Sequence, residues 1–341
     1  MITISVCMIV KNEEAVLARC LDCLKDLAEE IIVVDTGSSD RSLEIARRYT
    51  PKVYSFPWKE DFAEARNFAF SKATCDYIYS ADADEVIDAE NRAKFFALKQ
   101  TLSPETEIVE FKYSNQLRFN TTYNFDTEYR PKLFRRVRSF RWIGPVHETI
   151  DLKAHILESD IELIHKPEKL HAERDFSILR KASQKAPLDS NLHRMYGKEL
   201  FIAGKDADFL DAYSYFESTL HDETRSLDDI RVSQCVVARC ARLKKESTEL
   251  FKAALKNVIG GKPSAEVCCE LGAFFQESKD YEEAATWYYT AAFGAESECG
   301  IQYSGSIPLL LLSECYRELG MPEEAEKYRA QAENWVLPKG D

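Results

Sequence analysis

The first half of the chain alternates between short strand-like runs and segments in which apolar residues recur at helical spacing. Residues 3–10, 30–35 and 77–81 are runs of the kind found in strands that are buried on both faces. Residues 13–27 and 61–73 show the spacing of amphipathic helices. This alternation predicts an α/β fold with a doubly wound, mainly parallel sheet, because crossover helices join parallel strands.

The second half of the chain has a helical pattern that continues to its end. Residues 271–291 and 312–332 form a loose internal repeat, in which Ala284 aligns with Ala325. The repeat resembles tetratricopeptide repeats, in which small residues lie where paired antiparallel helices cross. The sequence therefore predicts an all-α, tetratricopeptide-like region.

The chain of 341 residues is long enough for two domains. We expect an α/β domain at 1–172 and the helical domain at 173–341, although the helices could also be a simple cap on the first domain. Repeat helices often provide a binding or dimerisation surface. Aromatic and apolar residues near 280–312 suggest a homodimer, for which one self-complementary patch is sufficient.

Composition and charge restrict the functional class. A formal net charge of -13 argues against general nucleic-acid binding, which needs a basic surface. The N-terminal apolar run ends at Lys11 and no basic residue precedes it, unlike a signal peptide. The longest later apolar run, at 307–312, is too short to span a bilayer. The sequence predicts a cytoplasmic protein without a membrane span.

Acidic residues directly follow two of the predicted strands. Asp35 closes the run 30–35, and Asp82 and Asp84 follow the run 77–81. Because ligands bind such sheets outside the carboxyl ends of the strands, we expect these carboxylates on one rim. Asp82 and Asp84 are alternate residues of an extended segment and share a face. A divalent cation would relieve their repulsion, and a solvated turn is the alternative explanation.

Four motifs in order make the pattern specific. Over residues 1 to 170 they resemble the nucleotide-sugar-binding half of family-2 glycosyltransferases with the GT-A fold. The motifs are MIVKNEE (8–14), VVDTGSSD (33–40), ARNFA (65–69) and SADADE (80–85). Together with RWIGPVHETI (141–150), the helical repeats are similar to a subgroup near the peptide S-glycosyltransferases of glycosylated bacteriocins.

The resemblance implies a set of donor-binding residues. In the family the residue matching Asp35 accepts from the N3–H of the donor base, although a turn role is the alternative here. Asn12 and Glu13 would touch the ribose or base beside it. Arg66 and Asn67 would face the same rim, where a guanidinium can pair with phosphate. For Arg66 a surface salt bridge is the competing interpretation.

The DxD motif implies a metal site. Asp82 would reach the ribose or a metal-bound water, and Asp84 would ligate Mn²⁺ or Mg²⁺ that bridges the donor phosphates. Ala83 between them is small enough for close approach by the nucleotide sugar. His165, at the end of another predicted strand, is the candidate third metal ligand, since GT-A enzymes often supply one late in the domain.

The sequence gives a weaker signal for the residues that would bind and activate the acceptor. Inverting transfer needs a base, and the Glu-Asp motif of relatives has no clean copy here. Glu148, after the bend at Gly144 and Pro145, is the candidate base, with His147 as its neighbour, as the alternative base, or as a structural side chain. The basic stretch 129–142 could hold the donor diphosphate, an anionic acceptor or nucleic acid, or could face solvent.

These expectations define a predicted activity. The chain is expected to be a metal-dependent, inverting glycosyltransferase that moves a sugar from a UDP-sugar, UDP-glucose or UDP-GlcNAc, to a peptide or protein side chain. The alternatives are transfer to a cell-surface saccharide or lipid-linked glycan, a modified-base DNA glycosyltransferase, and a non-catalytic repeat scaffold.

Overall fold

The computed structural model describes residues 1–114, 128–150, 154–168, 172–259 and 261–336. Contacts between residues divide the chain into two compact units, Met1–His171 and Ala172–Asp341. The predicted domain boundary at 172 falls beside this division and next to residues 169–171, which lie outside the described residues. Each unit has its own fold.

The first unit is an α/β structure built on an eight-stranded sheet. Its elements in chain order are β1 (Ile4–Val10), α1 (Leu17–Leu24), β2 (Glu30–Asp35), α2 (Ser42–Tyr49), β3 (Val53–Ser55), α3 (Phe62–Phe70), β4 (Tyr77–Ala81), β5 (Glu85–Val86), α4 (Ala89–Thr101), β6 (Ile108–Ser114), β7 (Glu128–Arg135), a 3₁₀ turn (Arg136–Arg138), β8 (Trp142–Ile143), β9 (Thr149–Ile150) and β10 (Ile156–His165).

The strand order is β3-β2-β1-β4-β7-β6-β10-β5. Strands β3, β2, β1 and β4 are parallel, as the sequence predicts. Strand β7 runs antiparallel to both β4 and β6, and β5 runs antiparallel to β10, whereas β6 and β10 are parallel. The sheet is therefore mainly parallel, with antiparallel pairings in its second half. The basic stretch 129–142 supplies most of β7, and its orientation was not evident from the pattern.

The central strands are buried on both faces. Along β2, Ile31 and Val33 pack into one apolar core, whereas Ile32 and Val34 pack into the core on the other face. Since successive side chains of a strand point to opposite faces, both cores need apolar residues and the run is continuous. The parallel pairing places the carboxyl ends of β1, β2 and β4 at one edge of the sheet.

The second unit is helical in its described residues. Its elements are α5 (Ala172–Lys185), α6 (Ser190–Ala203), α7 (Asp206–Thr219), α8 (Leu227–Leu243), α9 (Ser247–Ile259), α10 (Ala265–Glu277), α11 (Tyr281–Phe293), a 3₁₀ turn (Ile301–Ser304), α12 (Ser306–Glu318) and α13 (Pro322–Glu333). The pairs α10–α11 and α12–α13 coincide with the predicted repeat, and the aligned Ala284 and Ala325 are both buried. The predicted tetratricopeptide-like character is therefore confirmed.

Two of the aromatic residues near the end of α11 are exposed. Tyr288 is buried, but Tyr289 and Phe293 are 49% and 54% exposed. The rings of Tyr289 and Phe293 are in contact, with their centroids 4.7 Å apart. A homodimer through this surface stays a prediction. Among the described residues, no helix combines the length and apolarity needed to cross a membrane.

Close helix packing in the second unit depends on Gly272. A Cβ atom built at Gly272 of α10 would lie 2.6 Å from the ring of Tyr288 on α11. We expect Gly272→Ala to lower the free energy of unfolding by roughly 1–3 kcal/mol, the usual cost of overpacking. Urea unfolding of the full chain measures the effect. Gly294→Ala is the matched control, because the nearest atom to its Cβ is 3.4 Å away. Equal stability of both variants would contradict this packing.

Candidate active site

The loops after β1, β2 and β4 form the candidate site. Asn12, whose φ is 58°, joins two of them, since its N–H donates to Ser38 Oγ at 3.0 Å and its Oδ1 accepts from the Ser39 N–H at 2.8 Å. A cavity of about 300 Å³ opens beside these loops, and its lining includes Asn12, Glu13, Ser39, Asp40 and Asp84. Three residues predicted for the site, Asn12, Glu13 and Asp84, therefore meet at one cavity.

Asp35 shapes the turn after β2. Its side chain is buried, and its carboxylate accepts from the backbone N–H groups of Gly37 and Ser38, each at 3.1 Å. Gly37 has a φ of 107°, which favours glycine. This is the turn role that the sequence left open as the alternative. The contact of Asp35 with a uracil base stays a prediction.

Asp82 lies between two cations. Its Oδ1 accepts from Nη2 of Arg66 at 2.7 Å, and its Oδ2 accepts from Nζ of Lys132 at 2.8 Å. Burial alone would raise the pKa of Asp82, but the charges of Arg66 and Lys132 outweigh burial and hold that pKa well below its usual range. Both carboxylate oxygens are therefore engaged by protein cations.

Arg66 connects Asp82 to the predicted base. Its Nε donates to the Glu148 carboxylate, and its Nη1 donates to Ser80 Oγ at 3.1 Å. The guanidinium also lies over the ring of Trp142, 5.1 Å from the ring centroid. The donors of Arg66 are therefore directed to protein groups, and its pairing with a donor phosphate stays a prediction.

Lys132 connects Asp82 to Glu85. Its ammonium group is buried and also donates to the Glu85 carboxylate, which is itself buried. Burial, with the neighbouring Asp82 charge, raises the pKa of Glu85 to about 8, although Lys132 opposes the shift. We call the series Glu148, Arg66, Asp82, Lys132 and Glu85 the ion-pair chain.

Asp84 lies beside His165, with Oδ2 3.1 Å from Nε2 of the imidazole. The ladder between β5 and β10 pairs His165 with Glu85, and the Lys166 N–H donates to the Asp84 carbonyl at 2.9 Å. The predicted three-residue metal set is not assembled, because within the described ranges no three His, Cys, Asp or Glu side chains are arranged to hold an ion. Asp82 is the member that is missing, since its oxygens face Arg66 and Lys132.

Three further predicted residues have other surroundings. Ala83 lies in the turn after β4, and its side chain is buried in the apolar core. Asn67 uses its amide on the backbone of Trp142, donating to the carbonyl at 3.0 Å and accepting from the N–H at 2.9 Å. Contact of either residue with the nucleotide sugar stays a prediction. His147 lies in a turn with a φ of 50°, and its role beside the base stays a prediction.

Lys132 is the main residue that the sequence analysis missed. It lies at a register shift between β6 and β7, where Val109 pairs with Leu133 and Glu110 pairs with Pro131. Lys132 is therefore the extra residue of a β-bulge, and bulges redirect side chains. Pro131 was the available signal, because proline inside a strand marks an edge or a bulge.

The comparison with known protein families agrees with the predicted type of fold. Residues 5–151 match the model of glycosyl transferase family 2. The match thus covers most of the first unit, and the predicted GT-A type of fold is confirmed. The match covers less than half of the chain.

Individual relatives extend the comparison. A TPR repeat-containing protein of Synechococcus elongatus is 38% identical over 159 residues, which are 44% of this chain and 36% of the relative. The SPbeta prophage-derived glycosyltransferase SunS of Bacillus subtilis is 25% identical over 253 residues, which are 71% of this chain and 58% of the relative. The chain thus spans between about a third and three fifths of the length of these curated relatives.

Solved structures include a distant neighbour. It is glucosyl-3-phosphoglycerate synthase from Mycobacterium tuberculosis, in a complex with Mn²⁺, UDP and glucosyl-3-phosphoglycerate. The TM-score is 0.40 at 14% sequence identity, and the match covers 54% of this chain and 78% of that chain.

The structural role of Asn67 can be tested by Asn67→Ala. The variant loses two hydrogen bonds to the Trp142 backbone, so we expect the free energy of unfolding to fall by roughly 1–3 kcal/mol. Binding of UDP with Mn²⁺, measured by calorimetry below the melting temperature, should stay the same. Loss of UDP binding in a fully stable variant would restore the original donor-binding prediction. Asn91→Ala on α4 is the control, because the Asn91 side chain also makes two part-buried hydrogen bonds, one to the Asp88 carboxylate and one from the Glu162 N–H.

Proposed function

We propose that this protein is a metal-dependent, inverting glycosyltransferase that transfers a sugar from a UDP-sugar to a peptide or protein side chain. One observation carries the proposal: Asp84 contacts His165 and also lines the cavity shared with Asn12 and Glu13. In this proposal Asp84 and His165 hold the cation, and the adjacent cavity takes the donor nucleotide. The match of residues 5–151 to glycosyl transferase family 2 supports this assignment.

The donor set at Asp84 and His165 fits a divalent cation. Mg²⁺ keeps several waters and is usually held by one or two carboxylates together with substrate phosphates, so a site of two protein ligands is sufficient. Asp84 offers a carboxylate oxygen and His165 an imidazole nitrogen, 3.1 Å apart. When bound, Mn²⁺ or Mg²⁺ would stabilise the charge that develops on the departing diphosphate.

Glu148 takes the part of the general base. The guanidinium of Arg66 holds one of its carboxylate oxygens and orients the group. Its side chain is about 10% exposed, which leaves limited access for an acceptor. In the transfer step, the acceptor hydroxyl or thiol gives its proton to Glu148 and attacks the anomeric carbon, while the bond between that carbon and the UDP oxygen breaks.

The peptide or protein acceptor rests on similarity beyond the family-2 domain. The 253 residues aligned with SunS exceed the 171 residues of the first unit, so this similarity includes part of the helical unit. In the sequence, the stretch 141–150 and the helical repeats resemble the peptide S-glycosyltransferase subgroup. We infer that the helical unit helps to bind the acceptor, with UDP-glucose or UDP-GlcNAc as the donor.

The metal role of Asp84 gives the most direct test of the proposed activity. Asp84→Asn removes a carboxylate ligand, so Mn²⁺-dependent hydrolysis of UDP-glucose and UDP-GlcNAc should be abolished. UDP with Mn²⁺ should raise the melting temperature of the wild type, because a ligand that binds the folded state stabilises it, but not that of the variant. Asp22→Asn is the control, since Asp22 is exposed on α1 and pairs with Lys25. Full activity of Asp84→Asn would exclude this metal site.

The base can be tested independently of the donor. Glu148→Gln keeps the shape and a hydrogen-bond acceptor for Arg66 but cannot take a proton. Transfer should fall by about 10²-fold or more, the usual scale for general-base catalysis, while binding of UDP with Mn²⁺ is retained. Glu158→Gln on the exposed part of β10 is the control. If His147→Ala were inactive and Glu148→Gln active, the histidine would be the base.

A further inference from the structure

Lys132 has unusual surroundings for a lysine. Among the described residues, Lys99 and Lys132 are the two lysines that are buried. Lys132 reaches into the acidic turn, which we define as residues 82–85, and donates to both Asp82 and Glu85. The turn also holds itself closed, since the Asp82 N–H donates to Glu85 Oε2 at 3.1 Å. The ammonium group therefore lies between the first and the last carboxylate of the acidic turn.

The strand geometry directs Lys132 to this turn. The register shift between β6 and β7 leaves Lys132 as the bulge residue, next to Pro131, which has no N–H for the ladder. A buried ion pair is weak evidence for stability, because apolar residues of similar volume often stabilise as well. A bulge that brings a lysine to two carboxylates of the donor site therefore indicates a role in that site.

We infer that Lys132 is a built-in cation of the donor site. It holds Asp82 and Glu85, keeps Asp82 away from the divalent ion, and limits the acidic turn to one ion held by Asp84 and His165. The inference rests on the proposed function, because it assumes that Asp84 binds a metal. Lys132 is a positioning residue, since it contacts Asp82 and Glu85 rather than the reacting groups.

Opposite effects on metal affinity and catalysis distinguish this role from simple packing. Lys132→Met removes a positive charge beside the metal site and frees one oxygen of Asp82. Binding of MnCl₂ alone, followed by electron paramagnetic resonance without nucleotide, should become tighter by on the order of tenfold, the effect of one nearby charge in a partly screened site. Adding Asp82→Asn to Lys132→Met should reverse the gain in Mn²⁺ affinity. Hydrolysis of the UDP-sugar should fall in Lys132→Met itself.

Lys99→Met is the matched control. Lys99 is equally buried and pairs with Glu29, but it lies on α4 and donates to the Leu27 carbonyl. The control should lose stability without any change in Mn²⁺ affinity. Lys132→Met leaves Glu85 without its cation, which could itself disturb the turn. The single variant Glu85→Gln is therefore also compared with the double variant Glu85→Gln/Lys132→Met, in which neither partner is charged. The double variant should bind Mn²⁺ more tightly than Glu85→Gln.

The possible results separate this inference from the proposed function. Unchanged or weaker Mn²⁺ binding in folded Lys132→Met, or in the double variant relative to Glu85→Gln, would overturn the role of Lys132 while leaving the proposed activity intact. A wild-type protein that binds no Mn²⁺ even with UDP present would overturn both. Tighter binding that Asp82→Asn reverses would support the inference.

Discussion

The site depends on one carboxylate that two cations share. Asp82 accepts from Arg66 on α3 and from Lys132 on β7, so it joins a helix, a strand and the turn after β4. Through Arg66 the same interaction reaches Glu148. Removing one partner of a buried ion pair leaves an uncompensated charge, which is strongly destabilising. The ion-pair chain therefore holds α3, β7, the turn after β4 and Glu148 in one arrangement.

The two aspartates of the DxD motif make different contacts. Asp82 is committed to organising the protein, whereas Asp84 lies beside His165 and lines the cavity. The pairing of β5 with β10 explains how a histidine 81 positions later in the chain comes to this place. A sheet whose central strands are parallel and whose distal strands are mixed thus brings early and late segments to the same edge.

Much of this structure was accessible from sequence, for identifiable reasons. Strand β2 was predicted with its observed bounds, because both of its faces are buried and the run is continuous. The contact of His165 with Asp84 was anticipated from the family resemblance. The contacts that Asn67 and Ala83 make within the protein were not anticipated, because an ARN or DxD motif does not show which neighbours its side chains contact. Lys132 was missed because its position depends on a one-residue register shift between β6 and β7. Pro131 marks an edge or a bulge but does not show which side chain is redirected.

We expect Asp84 and His165, without Asp82, to hold the divalent cation. Anomalous diffraction from crystals soaked with MnCl₂ and UDP locates the manganese ion relative to these side chains. The account predicts one manganese peak about 2–2.3 Å from Asp84 and His165, with Asp82 still bound to Arg66 and Lys132. A manganese ion ligated by Asp82, or one that is absent from His165, would contradict it.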